Sequence, residues 1–224
     1  MSDISLTARS ERCAGVRFVS VSIPGINLVD FTSLHPQARA TVFLATTENR
    51  AAVASGRADF IPMHYSAIYR YLERELNIDA VLLQLPPAAP DGTTCLGISA
   101  DFTPAVLGKA GIVIAECNER QPAPIDSPRI PSARLDYALV CSRPVPVLGP
   151  APTSAAVLEI GRQIGKLVAD GDCIQIGIGV VPDAVLQCLS GRSDLGIHSG
   201  MISDGVMDLV TAGNITGRRK SVDT

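Results

Sequence analysis

The stretch from residue 171 to residue 205 constrains the fold most, because it contains two strand–glycine–helix patterns in succession. In the first pattern, the apolar run Cys173–Ile178 is rich in β-branched residues and ends at Gly179, which indicates a buried strand followed by a turn. Pro182 then stands where a helix should begin, a position at which proline has no useful N–H to lose. The pattern therefore predicts a strand, a tight glycine turn and a helix with Pro182 in its first turn.

The second pattern follows without a gap. Residues 195–199 form another short apolar run, which Gly200 interrupts. Ser203 or Asp204 can cap a following helix, whose apolar positions stop near Gly213. In a parallel sheet, the turns after neighbouring strands lie at the same carboxyl edge, which is where open α/β proteins bind ligands. We therefore expect a ligand crevice lined by residues around Gly179 and His198.

The rest of the chain also alternates between strand patterns and helix patterns. This alternation predicts an α/β fold, an open and mostly parallel sheet with helices on both faces. The expected strands are 17–22, 41–45, 80–85, 112–117 and 137–141, and the expected helices are 48–56, 65–76, 103–109 and 154–170.

A proline-rich segment suggests a division into two domains. The sequence RPVPVLGPAPT, residues 143–153, precedes the amphipathic helix pattern 154–170. Stiff proline segments of this kind act as spacers between folded parts. We therefore predict one α/β domain over 1–150 and the start of a second over 151–224.

Composition excludes several classes of function. The net charge is −3 and no basic stripe is present, which argues against a nucleic-acid partner. No apolar run is long enough to span a membrane, and the N-terminus lacks the apolar core of a secretory signal. The six cysteines form no CxxC pair, so we expect small buried thiols in a reduced, cytoplasmic protein. The three histidines are far apart in sequence, which predicts that there is no metal site.

Four motifs together resemble one protein family. GDCIQIGIGVVPDAV followed by DLGIHSGMISDG is the first; GRADFIPMHYS, APDGTTCLGISADFTPAV and VIAECN are the others. In this order and spacing they resemble the acetyl-CoA hydrolase/transferase family, the group of 4-hydroxybutyrate and acetate CoA-transferases. The resemblance runs from about Arg17 to the end. It implies two similar α/β halves with a CoA-transferase-like architecture, each opening with a strand and a GxGxxP turn. That turn occurs once here, at Gly177, so the first half is expected to lack its opening unit.

The resemblance also implies a reaction that moves CoA between carboxylates. A glutamate carboxylate attacks the acyl-CoA thioester to give a mixed anhydride, and the CoA thiolate returns to give a glutamyl-CoA thioester. In the family this glutamate lies in an Asn-Ser-Ala-x-Glu context, which this sequence lacks, so no catalytic residue is assigned. CoA would be a substrate rather than a permanent cofactor, and the partners would be an acyl-CoA and a carboxylate. Open strand edges further predict a homo-oligomer.

The binding residues expected at the carboxyl edge fall into two groups. Gly177, Gly179 and Pro182 would let a ligand approach the backbone and the free N–H groups of the helix; the alternative is a tight connection without a ligand. His198 and Ser199 end the next strand on the same edge. The alternative for His198 is a purely structural histidine. A family glutamate often stands at the position of Gly200, which leaves the role of this loop open.

Three residues of the first domain are further candidates. Asn118 begins NERQPAP, where the family has asparagine followed by Met-Pro-Arg, and it is included as a binding residue. His64 could line the site or pack under Tyr65. Glu116 is the best internal carboxylate, but a structural carboxylate bonded to the backbone or to a cation is the favoured interpretation. Two other functions stay open: a CoA-binding module without turnover, and a sugar-phosphate isomerase, which shares this architecture but needs an acid–base pair not identified here.

Overall fold

The computed structural model describes residues 11–23, 25–149 and 152–222, and it divides into two compact units, Met1–Leu148 and Gly149–Thr224. The division lies two residues before the predicted boundary. Unit 1 contains strands β1 to β8 and helices α1 to α3. Its strands are Arg17–Ser20, Arg39–Val42, Ala58–Phe60, Ala80–Leu85, Thr93–Cys95, Ile112–Asn118, Arg129–Pro131 and Tyr137–Cys141; its helices are Arg50–Ala54, Tyr65–Arg74 and Thr103–Leu107.

Unit 2 contains three helices and two short strands among its described residues. The helices α4, α5 and α6 span Ala155–Gly165, Val180–Gln187 and Asp204–Thr211, and the strands β9 and β10 span Cys173–Ile174 and Gly196–Ile197. The hydroxyl of Ser154 accepts a hydrogen bond from the Val157 N–H at 3.3 Å and caps α4.

The sheets are mostly parallel, as predicted. In unit 1 the orders are β1-β2-β3 and β4-β6-β8, both parallel, and β5 pairs with β7 antiparallel. In unit 2, β9 and β10 form a parallel pair. The predicted α/β class is therefore confirmed, but the described strands form several small sheets rather than one continuous sheet.

Helices cover both faces of the first sheet. On one face, Ala52 of α1 packs against Val42 of β2. On the other face, Ile68 and Leu72 of α2 pack against Phe43, the residue directly after β2. Because neighbouring residues of a strand point to opposite faces, Val42 and Phe43 place one helix on each side.

The first strand of unit 2 is shorter than its apolar run predicts. Residues 173–178 were expected to pair throughout, but the pairing with β10 covers only Cys173 and Ile174. Beyond that point, the carbonyl of Ile176 accepts a hydrogen bond from the side chain of Ser199 at 2.9 Å instead of a backbone N–H. The neighbouring strand thus turns away before the apolar run ends.

The cysteines differ from the expectation of small buried side chains. All six are free thiols, but only Cys95 is buried, and Cys173 is exposed. Cys173 is the first residue of β9, which pairs with β10 in a described sheet of two short strands. None of the described helices is long and apolar enough to cross a membrane.

A glycine allows α4 to approach α5 closely. A Cβ atom at Gly161 would lie 2.5 Å from the carbonyl oxygen of Ala184, which is too short for real contacts. We expect Gly161→Ala to lower the free energy of unfolding by about 2 kcal/mol, because the helices must separate to admit the methyl group. Urea unfolding measures the effect. Gly191→Ala is the matched control, since a Cβ there meets nothing within 4 Å. An equal loss in both variants would contradict this explanation.

Candidate functional site

The turns after β9 and β10 leave the same edge of the parallel pair. Cys173 is in register with Gly196 and Ile174 with Ile197, and the N–H of His198 donates to the Ile174 carbonyl at 3.0 Å. The carboxyl ends of the two strands are therefore adjacent, and so are the first residues of the two turns. Within unit 2, the structure thus brings the predicted glycine turn and the predicted His198–Ser199 turn to one edge.

Gly179 has a backbone conformation that favours glycine. Its φ is 127° and its ψ is 174°, and it stands as the N-cap of α5. A Cβ built at Gly177 or Gly179 would meet no atom within 4 Å, so the space beside both residues is open. Pro182 is the third residue of α5 and lies in its first turn, as predicted. The turn therefore leaves exposed backbone next to the first N–H groups of a helix, an arrangement suited to an anionic ligand.

Ser199 links the two turns. Its hydroxyl donates to the carbonyl of Ile176 at 2.9 Å and accepts from the N–H of Met201 at 3.3 Å. These bonds fix the position of the turn after β10 relative to the end of β9. Ser199 therefore holds the carboxyl edge of the β9-β10 pair in place. Its hydroxyl hydrogen is already donated to the Ile176 carbonyl.

An open cleft of about 780 Å³ lies beside His198 and Ser199. One wall is apolar, the polar groups are Gln175, His198, Ser199 and Lys220, and no carboxylate of the described residues lines the cleft. The cleft can therefore hold an apolar group together with an anion near Lys220. The glycine turn does not line it: Gly177, Gly179 and Pro182 lie on the same edge but outside this cleft.

The second helix cap differs in detail from the prediction. Ser203 is the N-cap residue of α6, as predicted, and its carbonyl accepts from the Val206 N–H at 3.0 Å. Its side chain makes no cap bond, however, and its Oγ is buried without a hydrogen-bond partner among the described residues. The hydroxyl points inward, so that the backbone alone forms this helix start.

The two predicted site residues of unit 1 have different environments. Asn118 is fully buried; its Nδ2 donates to the Arg143 carbonyl at 2.9 Å, and its Oδ1 accepts from the N–H groups of Arg120 and Arg143 at 3.1 Å. In this structure Asn118 therefore supports two loops and has no surface for a ligand. His64 is the N-cap residue of α2 and is exposed. The ring of Tyr65 packs against Phe102, with ring centroids 4.7 Å apart.

A polar cluster at the carboxyl end of β6 includes a residue that the sequence analysis missed. Glu116 accepts from Gln84 Nε2 at 2.8 Å and from Arg143 Nε and Nη2 at 2.7 and 2.9 Å. In sequence, Arg143 is simply the first residue of the proline-rich segment 143–153. The signal that points to Arg143 as a partner of Glu116 is its position two residues after β8. In a parallel sheet, the end of β8 lies beside the end of β6, where Glu116 is located. Glu116 thus has the environment of a structural carboxylate.

Two opposing effects set the ionisation of Glu116. Burial raises the pKa of this carboxyl, but hydrogen bonds from Gln84, Arg143 and the Cys141 thiol outweigh it, and the net pKa lies below the ordinary value. Desolvation and the neighbouring carboxylate raise the pKa of Cys141. At neutral pH the cluster therefore holds a carboxylate, a guanidinium and a neutral thiol.

This ion pair predicts an acid-sensitive contribution to stability. The lowered folded pKa means that the contribution is complete above the unfolded pKa of about 4.3 and is lost as the pH falls through the folded value. We expect Arg143→Ala to lower the free energy of unfolding by about 1 kcal/mol at pH 7, and by less at pH 3. Urea titrations at both pH values test this. Arg162→Ala, which removes the exposed pair with Glu159, is the control and should cost about 0.3 kcal/mol. A loss for Arg143→Ala that does not change with pH would be inconsistent with the ion pair as its cause.

Comparisons with known proteins agree with the motifs. Residues 17–149 match the acetyl-CoA hydrolase/transferase N-terminal domain. The 4-hydroxybutyrate coenzyme A transferase of Clostridium kluyveri is 38% identical over 174 residues, which are 77% of this chain and 41% of that protein. The succinyl-CoA:acetate/propanoyl-CoA:succinate CoA transferase of Fasciola hepatica is 34% identical over 186 residues, 82% of this chain and 39% of that protein.

A solved structure supports the same similarity. The 4-hydroxybutyrate CoA-transferase from Porphyromonas gingivalis has a TM-score of 0.70 and 26% identity, covering 98% of this chain and 57% of that chain. This chain spans about two fifths of the length of the two curated relatives.

Proposed function

Because the chain belongs to the acetyl-CoA hydrolase/transferase family, we propose that it is part of an enzyme that moves CoA between short-chain carboxylates or hydrolyses acyl-CoA. The observation that carries this proposal is the shared edge of unit 2, where the Gly179 turn and the His198–Ser199 turn are adjacent. CoA is the substrate, and no permanently bound cofactor takes part. Its partners are an acyl-CoA and a carboxylate.

The chemistry of the edge suits the two ends of an acyl-CoA. The exposed backbone at Gly177 and Gly179, next to the N–H groups of α5, can accept the negatively charged part of CoA. Lys220 adds a positive charge beside the cleft. The apolar wall of the cleft, which includes Ile202 and Val206, can contact the acyl chain or the pantetheine arm. His198, at the strand end between these regions, would contact the thioester region.

The proposed reaction passes through a glutamyl-CoA thioester whose glutamate is outside this chain. Two observations support this. Within the part of unit 2 that the structure describes, no carboxylate lines the cleft. In unit 1, Glu116 is bound on both oxygens by Arg143, which lowers its availability as a nucleophile. The second candidate function is a module that binds CoA or acyl-CoA without turnover. The absence of a carboxylate from the described lining of the cleft favours this function if the chain acts by itself.

The cellular setting and assembly are part of the proposal. The six cysteines are free thiols, which agrees with a reduced, cytoplasmic protein. Strands at open sheet edges, such as β8, favour association with a second copy, so we propose a homo-oligomer.

Calorimetric titration with CoA and with acetyl-CoA, run beside transferase and thioesterase assays, tests the function. Binding without turnover is expected of this chain under both candidate functions, because the proposed glutamate lies outside it. Transfer to acetate by this chain alone would contradict that placement of the glutamate. Failure to bind CoA or acetyl-CoA contradicts both candidate functions. Isomerisation of a sugar phosphate would instead identify the chain as a sugar-phosphate isomerase.

A further inference from the structure

A second, smaller cavity of unit 2 adjoins the open cleft beside His198. Its volume is about 220 Å³, and its lining includes Cys173, His198, Arg219 and Lys220. His198 and Lys220 also line the larger cleft, so the two cavities meet at these two side chains. The described lining of both cavities contains no aspartate or glutamate. The junction is therefore lined by cationic and hydrogen-bonding groups, which suit an anion.

Two glycines make room for the cationic side chains. A Cβ atom at Gly196 would lie 2.8 Å from Cγ of Lys220, and one at Gly171 would lie 2.5 Å from Cδ of Arg219. The aliphatic stem of each cation thus lies directly against glycine backbone. Nη1 of Arg219 also donates to the carbonyl of Asp170 at 3.4 Å. The fold therefore places both stems along the protein surface and both charges beside the smaller cavity.

The larger cleft supplies an apolar wall next to these charges. Val206 and Val210 are four residues apart on α6 and lie on the same face of that helix, and Ile202 lies two residues before it. Ile202 and Val210 are 65% and 52% exposed, so this wall carries apolar surface that a ligand can cover. Four residues of helix span about 6 Å, which is enough to contact a chain of several carbon atoms.

We propose that the two cavities form the subsite for the carboxylic acid that exchanges CoA, and that this subsite selects an acid with an apolar chain. The carboxylate lies at the junction, where Lys220 and Arg219 donate to it, and the chain lies along Ile202 and Val210. In a reaction that moves CoA between two acids, the leaving acid and the entering acid occupy this place in turn.

The same arrangement excludes a dicarboxylic acid. The second carboxylate of succinate would lie against the apolar wall, where it loses water without gaining a partner. Acetate, in contrast, fits the junction but leaves the wall uncovered. This inference rests on the proposed function, which supplies the acid as a reactant; the charge and shape of the cavities do not depend on it.

Calorimetric titration of the full chain with free acids, in the absence of CoA, tests the chain-binding part. We expect hexanoate to bind about ten-fold more tightly than acetate, because each buried CH₂ group can contribute up to about four-fold in affinity. Succinate should bind no more tightly than acetate. Val210→Thr, which places a hydroxyl in the apolar wall, should weaken hexanoate about three-fold and leave acetate unchanged. Equal affinities for hexanoate and acetate would overturn the proposal.

Neighbouring cations provide a matched pair of variants for the carboxylate. Lys220→Gln removes a charge at the junction. Arg218→Gln removes a charge two positions earlier, where the guanidinium Nη1 lies 3.8 Å from Oδ1 of Asp194 and lines neither cavity. Both substitutions change the net charge equally, so a long-range electrostatic effect would be the same in both.

The two variants should therefore differ in their affinity for hexanoate. We expect Lys220→Gln to weaken hexanoate about five-fold or more, and Arg218→Gln by less than about two-fold. Hexanol, which has the same chain without the charge, should bind more weakly than hexanoate and should not distinguish the variants. Circular dichroism checks that both variants are folded. Equal losses of hexanoate affinity in the two variants would show that the carboxylate does not lie at the junction.

The outcomes also separate this inference from the proposed function. If the chain binds CoA but no acid, the subsite is wrong and the proposed function stands. If hexanoate binds with the expected dependence on Lys220 and Val210 but neither CoA nor acetyl-CoA binds, the proposed function is wrong and the cavities still bind an apolar acid.

Discussion

The purified chain, mixed with acetyl-CoA and acetate, is expected to show no CoA transfer above the uncatalysed rate. A covalent mechanism that lacks its nucleophile loses about four to six powers of ten in rate, because only binding and stabilisation of the oxyanion remain. The described lining of the unit 2 cleft includes no carboxylate, and Glu116 is held by Arg143 and Gln84. The measurement is transfer of labelled CoA, followed by borohydride or hydroxylamine trapping and mass spectrometry of every glutamate peptide.

The trapping step separates an absent nucleophile from a slow one. If the catalytic glutamate lies outside this chain, no glutamate peptide carries the mass of a reduced thioester or a hydroxamate. Glu116→Gln provides the control, because it removes the best internal candidate and should leave the result unchanged. A glutamyl adduct on Glu116, or on any other residue of the chain, would overturn the assignment.

The second large effect is expected at the glycine turn of unit 2. Replacing Gly179 with valine should weaken CoA binding about ten-fold or more, because a branched side chain occupies the open space beside the turn and β-branched residues disfavour its positive φ. Isothermal titration of the folded variant with CoA measures the change, and circular dichroism confirms that the variant is folded.

Gly213→Val is the matched control for this substitution. Gly213 also has a positive φ, 80°, and a Cβ there also meets nothing within 4 Å, but it follows α6 and lies away from the β9 and β10 turns. Both variants therefore place a β-branched side chain at a position of positive φ. Equal affinity for CoA in the two variants would show that the Gly179 turn does not contact the ligand.

Local sequence patterns determined the elements that do not depend on distant partners. The strands Ala80–Leu85 and Tyr137–Cys141 have the predicted bounds, because apolar runs with proline or polar residues at their ends encode strands locally. Helix α5 begins after Gly179 with Pro182 in its first turn, since proline fixes its own φ and glycine readily adopts the positive φ of this turn, whatever surrounds them. The family motifs likewise needed only the order of residues along the chain.

The tertiary structure decided what depends on neighbours far apart in sequence. Strand β9 ends at Ile174 because β10 turns away, although the apolar run continues to Ile178. Glu116 is a structural carboxylate because Arg143, 27 positions later, binds both its oxygens. Asn118 is buried and supports two loops for a similar reason: the backbone of Arg143, 25 positions later, bonds both its Nδ2 and its Oδ1. Pairing, burial and ionisation are set by distances in space, which spacing along a chain does not determine.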